Sequence, residues 1–495
     1  MNIKNLLILI ALPTVLFSCK NDDDQADIFD AGMSDVEKFN KFIVDCTSEV
    51  YLWSDDTDWT KYKTANVYKT IDHDALFAEF LNREDRWSFL TDDVTSMRQQ
   101  IQGVSTTYGC EVDWGQFSDT KNLFAIVKYT SPGSPAQKAG LMRGDVIIGM
   151  NGGVITTSNY MNFYNSPIIS VRRGRIVCDD PQCNNKTIEA DNAELPQMTA
   201  VQNFYENPIQ KDTILNISGL KVGYLCYMAF IKESENDLVG VFSRFKSQGV
   251  ENVILDLRYN GGGLASTAQR LASILAPAAN VGAGDTYMSQ KWNAAYSQWF
   301  DNNKDKDFRT EAFIKNPGVN MGQKRLAVIT ASGTASASEA TIIGLKPYLK
   351  TDMVCVGDTT HGKYCGAYLM SVAEYYELKE ADIQKYKYEN ISDYGMYIMV
   401  YRYANKEGYP SFVGGLPPDV RADEFWWDLR PFGDLSDPML AVAVERLTGV
   451  QTVNTRSVSS AASIAPSGVL MRPDLAPQRP TDAEMSLPSI ARRIP

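Results

Sequence analysis

The chain has 495 residues, 44% of them hydrophobic and 11% aromatic, and a formal net charge of −12. That length has room for about three domains of roughly 150 residues each, and the acidity argues against nucleic acid or an anionic membrane surface as partner. With two histidines, His73 and His361, and no C-x-x-C pair, a zinc site is not expected, and nothing calls for a cofactor.

Residues 1–18 read as a lipoprotein signal peptide: Lys4, then an apolar run from Leu6 to Phe17 that is too short for a membrane span. Leu16-Phe17-Ser18-Cys19 resembles a bacterial lipobox, which would make Cys19 the lipidated first residue of the mature protein; an ordinary secretory signal is the alternative. The "KNDDD" after Cys19 resembles the acidic signal of some Bacteroidetes-type lipoproteins, so a lipid-anchored protein of the cell envelope, at the outer membrane, is expected, with residues 19–32 as a polar tether. Export permits disulfides, and Cys178 with Cys183, flanking Asp179-Asp180-Pro181-Gln182, is the plausible local pair.

Residues 33–104 read as a small helical region. Ser34 and Glu37 make a capping box, and Val36, Phe39, Ile43, Cys46 and Val50 follow at helical spacing; Leu76, Phe77, Phe80 and Leu81 mark a second amphipathic stretch. Trp53 and Trp87 are expected in the core or an interface. From 105 to 200 the pattern turns to strands with a Pro/Gly turn and a short helix. There "SPGSPAQKAGLMRGDVIIGMNG" resembles the central stretch of a PDZ domain, a module that binds an extended peptide, usually by its C-terminus, as an added strand with the carboxylate on backbone N–H groups. The resemblance puts that cradle at Tyr108, Gly109, Cys110 and Glu111.

Between 201 and 449 apolar strands alternate with helices. "VILDLRY" has almost no polar alternation and is broken by "NGGG"; "RLAVITAS" and "MVCVGDTTHGK" are the next strands and their loops. The rhythm predicts an α/β layer whose strand-end loops hold chemistry. Residues 450–495 lose periodicity, fill with Ser and Pro, and are expected to form a tail without regular structure.

Three serines crowd "ASGTASASEATIIG": Ser332, Ser336 and Ser338. Ser336 falls at the start of a helix, where the first-turn N–H groups point outward, while Ser338 serves equally well as a cap or packing residue. No GxSxG elbow surrounds any of them. A base must be His361, His73 or Lys363. An exposed lysine is neutral in only about one molecule in 2500 at pH 7, so a lysine base must be buried. The glycine run can offer backbone N–H groups to an oxyanion, can be a plain strand-to-helix turn, or can cradle a phosphate, although no Walker lysine follows it.

Taken in order, "VILDLRYNGGG", "TASASEA" and "GDTTHGK" after a PDZ-like segment resemble the C-terminal processing peptidases, or tail-specific proteases, over roughly residues 36 to 445. The resemblance implies a multidomain α/β protein with a small helical N-terminal region, a PDZ-like β domain and a crotonase/ClpP-like α/β protease core over 201–449. It implies Ser336 as nucleophile, Lys363, 27 residues on, as general base, and the N–H groups of Gly262 and Ala337 as oxyanion donors. Polypeptides would be the substrates, with no cofactor. Many members carry glutamine four residues after the lysine to orient it; here Ala367 stands there, with His361 and Tyr364 as candidate substitutes. A catalytically silent peptide-binding protein of the same fold is the alternative. Cys355 and Cys365 flank the lysine loop, either as a disulfide or as buried apolar residues.

Overall fold

Three adjacent parallel strands explain how three distant motifs meet. In the computed structural model, which describes residues 28–30, 32–69, 72–178, 185–408, 412–452, 466 and 468–475, the elements needed below are, in chain order, α1 (Asp35–Val50), β1 (Cys110–Phe117), β2 (Leu123–Thr130), β3 (Val146–Met150), β4 (Val171–Cys178), β5 (Lys186–Glu194), β6 (Ile209–Ile217), β7 (Leu220–Tyr227), α2 (Glu235–Ser247), β8 (Asn252–Asp256), α3 (Ala265–Leu275), β9 (Thr286–Trp292), β10 (Arg325–Thr330), α4 (Ala337–Leu349), β11 (Met353–Gly357), β12 (Cys365–Ser371), β13 (Gly395–Ala404), α5 (Pro438–Thr448) and β14 (Val469–Met471). The expected signal segment and Cys19 lie outside the described residues.

The core sheet has the order β6-β7-β8-β10-β11 followed by Val420–Arg421. β6 and β7 form an antiparallel hairpin, and every later pairing is parallel. Parallel strands covered on both faces read as continuous apolar runs, which is why "VILD" shows no alternation. Val253 and Leu255 face a cluster shared with Phe242 and Phe245 of α2, Leu271 and Ile274 of α3, and Ile342 of α4. Ile254 faces the opposite cluster with Leu440 and Val444 of α5. Because β8, β10 and β11 lie side by side and parallel, their carboxyl ends open onto one crevice, where ligands of such sheets usually sit. The glycine run, the Ser336 loop and the Lys363 loop follow those three ends in turn.

A second, antiparallel sheet is organised around β13, which pairs with β12, β9 and Phe89–Thr91. The expected helical N-terminal region therefore also donates a strand, with Phe89 opposite Tyr397. Its first helix forms as expected: Ser34 and Glu37 complete the capping box of α1, and Phe39, Phe42 and Ile43 are fully buried in the main core rather than in a separate one. The smaller domain is a twisted sheet of order β14-β1-β2-β3-β4-β5.

Two expectations need correction. The region after 450 is not wholly without regular structure, because β14 pairs with β1 (Val469 opposite Phe117). Cys355 and Cys365 are free and buried, on β11 and β12 of different sheets, so the packing alternative holds there. Cys178 is disulfide-bonded, while Cys183 lies outside the described residues.

Candidate active site

Ser336 sits between the end of β10 and the start of α4 with φ 54° and ψ −113°. A non-glycine residue with positive φ is costly and persists only where its surroundings enforce it. Here the enforcement is visible. The Ser336 N–H donates to the Glu339 carboxylate at 2.9 Å, its carbonyl accepts from the Tyr403 hydroxyl at 3.2 Å, and the preceding Ala335 N–H donates to the Asn260 carbonyl at 3.0 Å. Gly262, at φ 112°, leaves the serine its room: a Cβ there would lie 2.8 Å from the Ser336 Cβ and 3.1 Å from the Ala337 nitrogen. The other serines separate by burial. Ser332 is exposed, and Ser338 is fully buried with its hydroxyl donating to the Asn260 carbonyl at 2.9 Å, a packing role.

Glu339 does more than cap its helix. Besides the Ser336 N–H, its carboxylate accepts from the N–H groups of Gly362 at 2.7 Å and Lys363 at 2.9 Å and from the Thr360 hydroxyl at 2.5 Å. Burial pushes this carboxyl above its ordinary value, and the four donors pull against that shift. One side chain thus fixes the backbone of the serine loop to that of the lysine loop. Glu339 is the glutamate of "TASASEA", and no short sequence pattern signals this bridge.

Lys363 is 2% exposed, and its Nζ donates to the Tyr397 hydroxyl at 2.9 Å, lying 4.8 Å from the centroid of the same ring. Among the described residues no carboxylate lies within ion-pair distance of it. Tyr397 belongs to β13 and is itself stacked on Phe89, with ring centroids 5.2 Å apart. Ala367, on β12, lies opposite Met399 of β13 and offers no polar group. Neither candidate substitute reaches the lysine amine: the Tyr364 hydroxyl donates to Glu84, and His361 Nε2 accepts from the Trp87 indole at 3.4 Å. Burial, with Arg86 and Lys363 adding, lowers His361 to about 4, and burial lowers His73 to about 4 in a core pocket beside Asn40.

The two expected oxyanion donors differ. The Ala337 N–H opens α4 beside Gly262 and has no protein acceptor among the described residues, as expected of a first-turn donor. The Gly262 N–H instead donates to Asn260 Oδ1 at 2.8 Å, because asparagine readily closes a turn onto the backbone two residues on. It is therefore engaged within the protein.

A cavity of about 410 Å³ joins the smaller domain to this crevice: Tyr108, Cys110 and Glu111 line one part and Gly261, Gly262 and Gly263 another. Of the residues expected to cradle a peptide terminus, Tyr108 is buried with its hydroxyl on the Ser166 carbonyl, and Gly109 at φ 69° directs its N–H to the Thr107 hydroxyl at 2.8 Å. Burial, reinforced by Glu111 and Asp145, pushes the Cys110 thiol well above its usual range. The two domains are clamped next to the glycine run. Arg143, between β2 and β3, pairs with Glu424 and donates to the Tyr259 hydroxyl at 2.8 Å; Arg258 reaches Glu424 at 2.7 Å, Asp437 at 2.8 Å and Asp256 at 2.8 Å. Burial opposes ionisation of Glu424, but Arg258 and Arg143 outweigh it and hold the carboxyl at about 2.

Residues 221–421 match the family model of peptidase family S41. The chain is 24% identical over 342 residues to the chloroplastic C-terminal processing peptidase of Tetradesmus obliquus, covering 67% of this chain and 63% of that protein. It is 24% identical over 313 residues to the carboxy-terminal processing protease CtpB of Bacillus subtilis (strain 168), covering 59% and 58%. The chain thus spans about three-fifths of the length of these curated relatives. Among solved structures, one from Bacteroides fragilis NCTC 9343 assigned to the S41 proteases superposes with a TM-score of 0.64 at 23% identity, covering 82% of this chain and 97% of that one, a likeness of fold. The stretch that resembles peptidase family S41, residues 221–421, is thus the one that carries the glycine run and the Ser336 and Lys363 loops.

Proposed function

We propose that the chain is a serine endopeptidase of the C-terminal processing kind, with Ser336 as nucleophile and Lys363 as general base. One observation carries the reading: a backbone-strained serine and a buried lysine without a carboxylate partner are held together through the single carboxylate of Glu339. Burial away from carboxylates is what a general-base lysine requires. Ser336 Oγ attacks the scissile carbonyl carbon as Lys363 Nζ takes its proton; Lys363 returns that proton to the departing amine as the C–N bond breaks, leaving an acyl-enzyme. Water then attacks the ester, with Lys363 accepting its proton and restoring it to Ser336. The Ala337 N–H faces the developing oxyanion, and Gly262 joins it once Asn260 releases its N–H. Tyr397 takes the orienting place that glutamine fills in many relatives.

Residues 105–200 act in this reading as a PDZ-like docking domain. A polypeptide C-terminus adds to β1 near Tyr108–Glu111, and the cavity that reaches Gly261–Gly263 supports a path from there to the scissile position. Cys19 carries the lipid anchor that holds the protein in the cell envelope, at the outer membrane; loss of labelling by a fatty-acid probe in Cys19→Ser tests that part.

A catalytically silent peptide binder has one observation in its favour, the engagement of the Gly262 N–H by Asn260. A fluorophosphonate probe combined with cleavage of an unfolded protein separates the two. The peptidase reading expects wild type to label and cleave, and Ser336→Ala and Lys363→Ala to do neither. A wild type that neither labels nor cleaves overturns it.

A further inference from the structure

The strand β14 approaches the smaller domain along the edge to which a captured peptide would add. Val469 lies opposite Phe117, Leu470 opposite Gln116 and Met471 opposite Gly115, all antiparallel. The ladder extends at both ends, from the Ser118 N–H to the Gly468 carbonyl at 2.7 Å and from the Arg472 N–H to the Trp114 carbonyl at 2.8 Å. Pro473, which has no N–H to continue it, then turns the chain through Pro473–Leu475, and Leu475 enters the apolar cluster that also holds Tyr108, Val112 and Trp114. Val469 and Met471 pack on the other face against the cluster of Phe124, Ile126 and Val146, while Leu470 is 59% exposed. The direction matters as much as the contact. As the numbering of this segment rises, that of β1 falls toward Cys110 and Glu111, so the segment runs toward the loop where a bound C-terminus would end.

We propose that Gly468–Leu475 is a resident peptide in cis, occupying the far half of the docking edge of β1, so that an extended polypeptide longer than a few residues must displace it. This rests on reading β1 as the docking strand. A strand edge takes one partner at a time, and the near half, Cys110–Asp113, has no strand on its outer side among the described residues. The ligand class is a short extended segment with alternating apolar side chains, ended by a turn that buries one more.

The test uses the full chain and, as probe, a fluorescein-labelled synthetic octapeptide of the sequence of residues 468–475. Two forms are compared with wild type: Met471→Asp/Leu475→Asp, which removes the apolar anchors, and Val469→Cys/Phe117→Cys, which places cysteines at a directly opposed pair so that oxidation locks the segment in place. The expected result is probe binding at least tenfold tighter to the double aspartate variant than to wild type, no binding to the oxidised lock, and recovery on reduction, with wild type unaffected by the reductant. Equal binding by all forms overturns the proposal. If the aspartate variant unfolds, as circular dichroism would reveal, oxidised and reduced forms of the lock still decide it. Casein cleavage is measured in parallel: probe binding that changes as expected while no form cleaves casein sinks the peptidase reading and leaves the resident peptide standing.

Discussion

Lys363 and Tyr397 meet at 2.9 Å although one lies in the loop ahead of β12 and the other on β13, 34 residues apart. In the proposed mechanism the hydroxyl does the orienting work of the absent glutamine, and the ring beneath it lies 4.8 Å from the Lys363 Nζ. Tyr397→Phe keeps the ring and removes the hydrogen bond, so a loss of about tenfold in kcat with little change in KM is expected, from the roughly 1–1.5 kcal/mol of one hydrogen bond. Tyr397→Ala should lose more. A change confined to KM would argue against a positioning role.

Glu339→Gln tests the bridge between the two loops. An amide carbonyl cannot replace both carboxylate oxygens, and its NH2 would face N–H donors. At least one buried donor is left unpaired at about 1–3 kcal/mol. Loss of casein cleavage by about a hundredfold or more, with a lower urea midpoint, is expected; unchanged cleavage would dismiss the bridge.

Acid should loosen the interdomain clamp through Glu424. Its folded-state pKa lies below the ordinary 4.5, at about 2, so the stabilisation is fully present above about pH 4.5 and is lost as pH falls toward 2. That difference corresponds to about 3 kcal/mol. Circular dichroism melts from pH 6 to pH 2 should therefore fall more steeply for wild type than for Glu424→Gln, and Arg143→Ala should already be destabilised at pH 7. Parallel pH profiles for wild type and Glu424→Gln would contradict this.

His361 offers a sharp contrast to a histidine-based mechanism. Held neutral down to about 4 against an ordinary 6.5, it costs stability as pH falls through that window and gives no proton exchange near pH 6.5. The expected rate profile has no inflection near 6.5, and the His361 ring should titrate by NMR near 4. An activity that follows pH 6.5 and survives Lys363→Ala would reinstate the histidine.

Gly262→Ala places a methyl 2.8 Å from the Ser336 Cβ at a φ of 112°. Cleavage should drop by about a hundredfold or more, while Gly133→Ala, also at positive φ but with open space around it, should leave cleavage near wild type. Equal effects of the two would mean that backbone strain, rather than crowding at the serine, is being measured.

What could be read from sequence was local. The capping box of α1, the unalternating strand β8 and the serine at a helix start are signals within a few residues, and each appears where expected. The lysine's partner was not legible, because Tyr397 lies on a strand of a second sheet whose side chains show no short motif. Phe89–Thr91 and β14 were missed for a related reason: three-residue strands carry too few residues to show a period, and only the edges they join define them. Arg143 was visible inside the PDZ-like stretch, but its acid, Glu424, is 281 residues away, and the Asn260 contact that engages Gly262 is a choice of side-chain rotamer that no pattern encodes.

The stacking of Phe89 on Tyr397 has a practical consequence for dissecting this protein. A recombinant fragment cut to the limits of the S41 match would begin at 221 and lack Phe89, Trp87 and Glu84, the residues that back Tyr397, His361 and Tyr364. Such a fragment would keep the glycine run, Ser336 and Lys363 yet expose the aromatic underside of the lysine pocket to water. Inactivity of that fragment would report a missing wall, and a functional fragment needs to start ahead of α1.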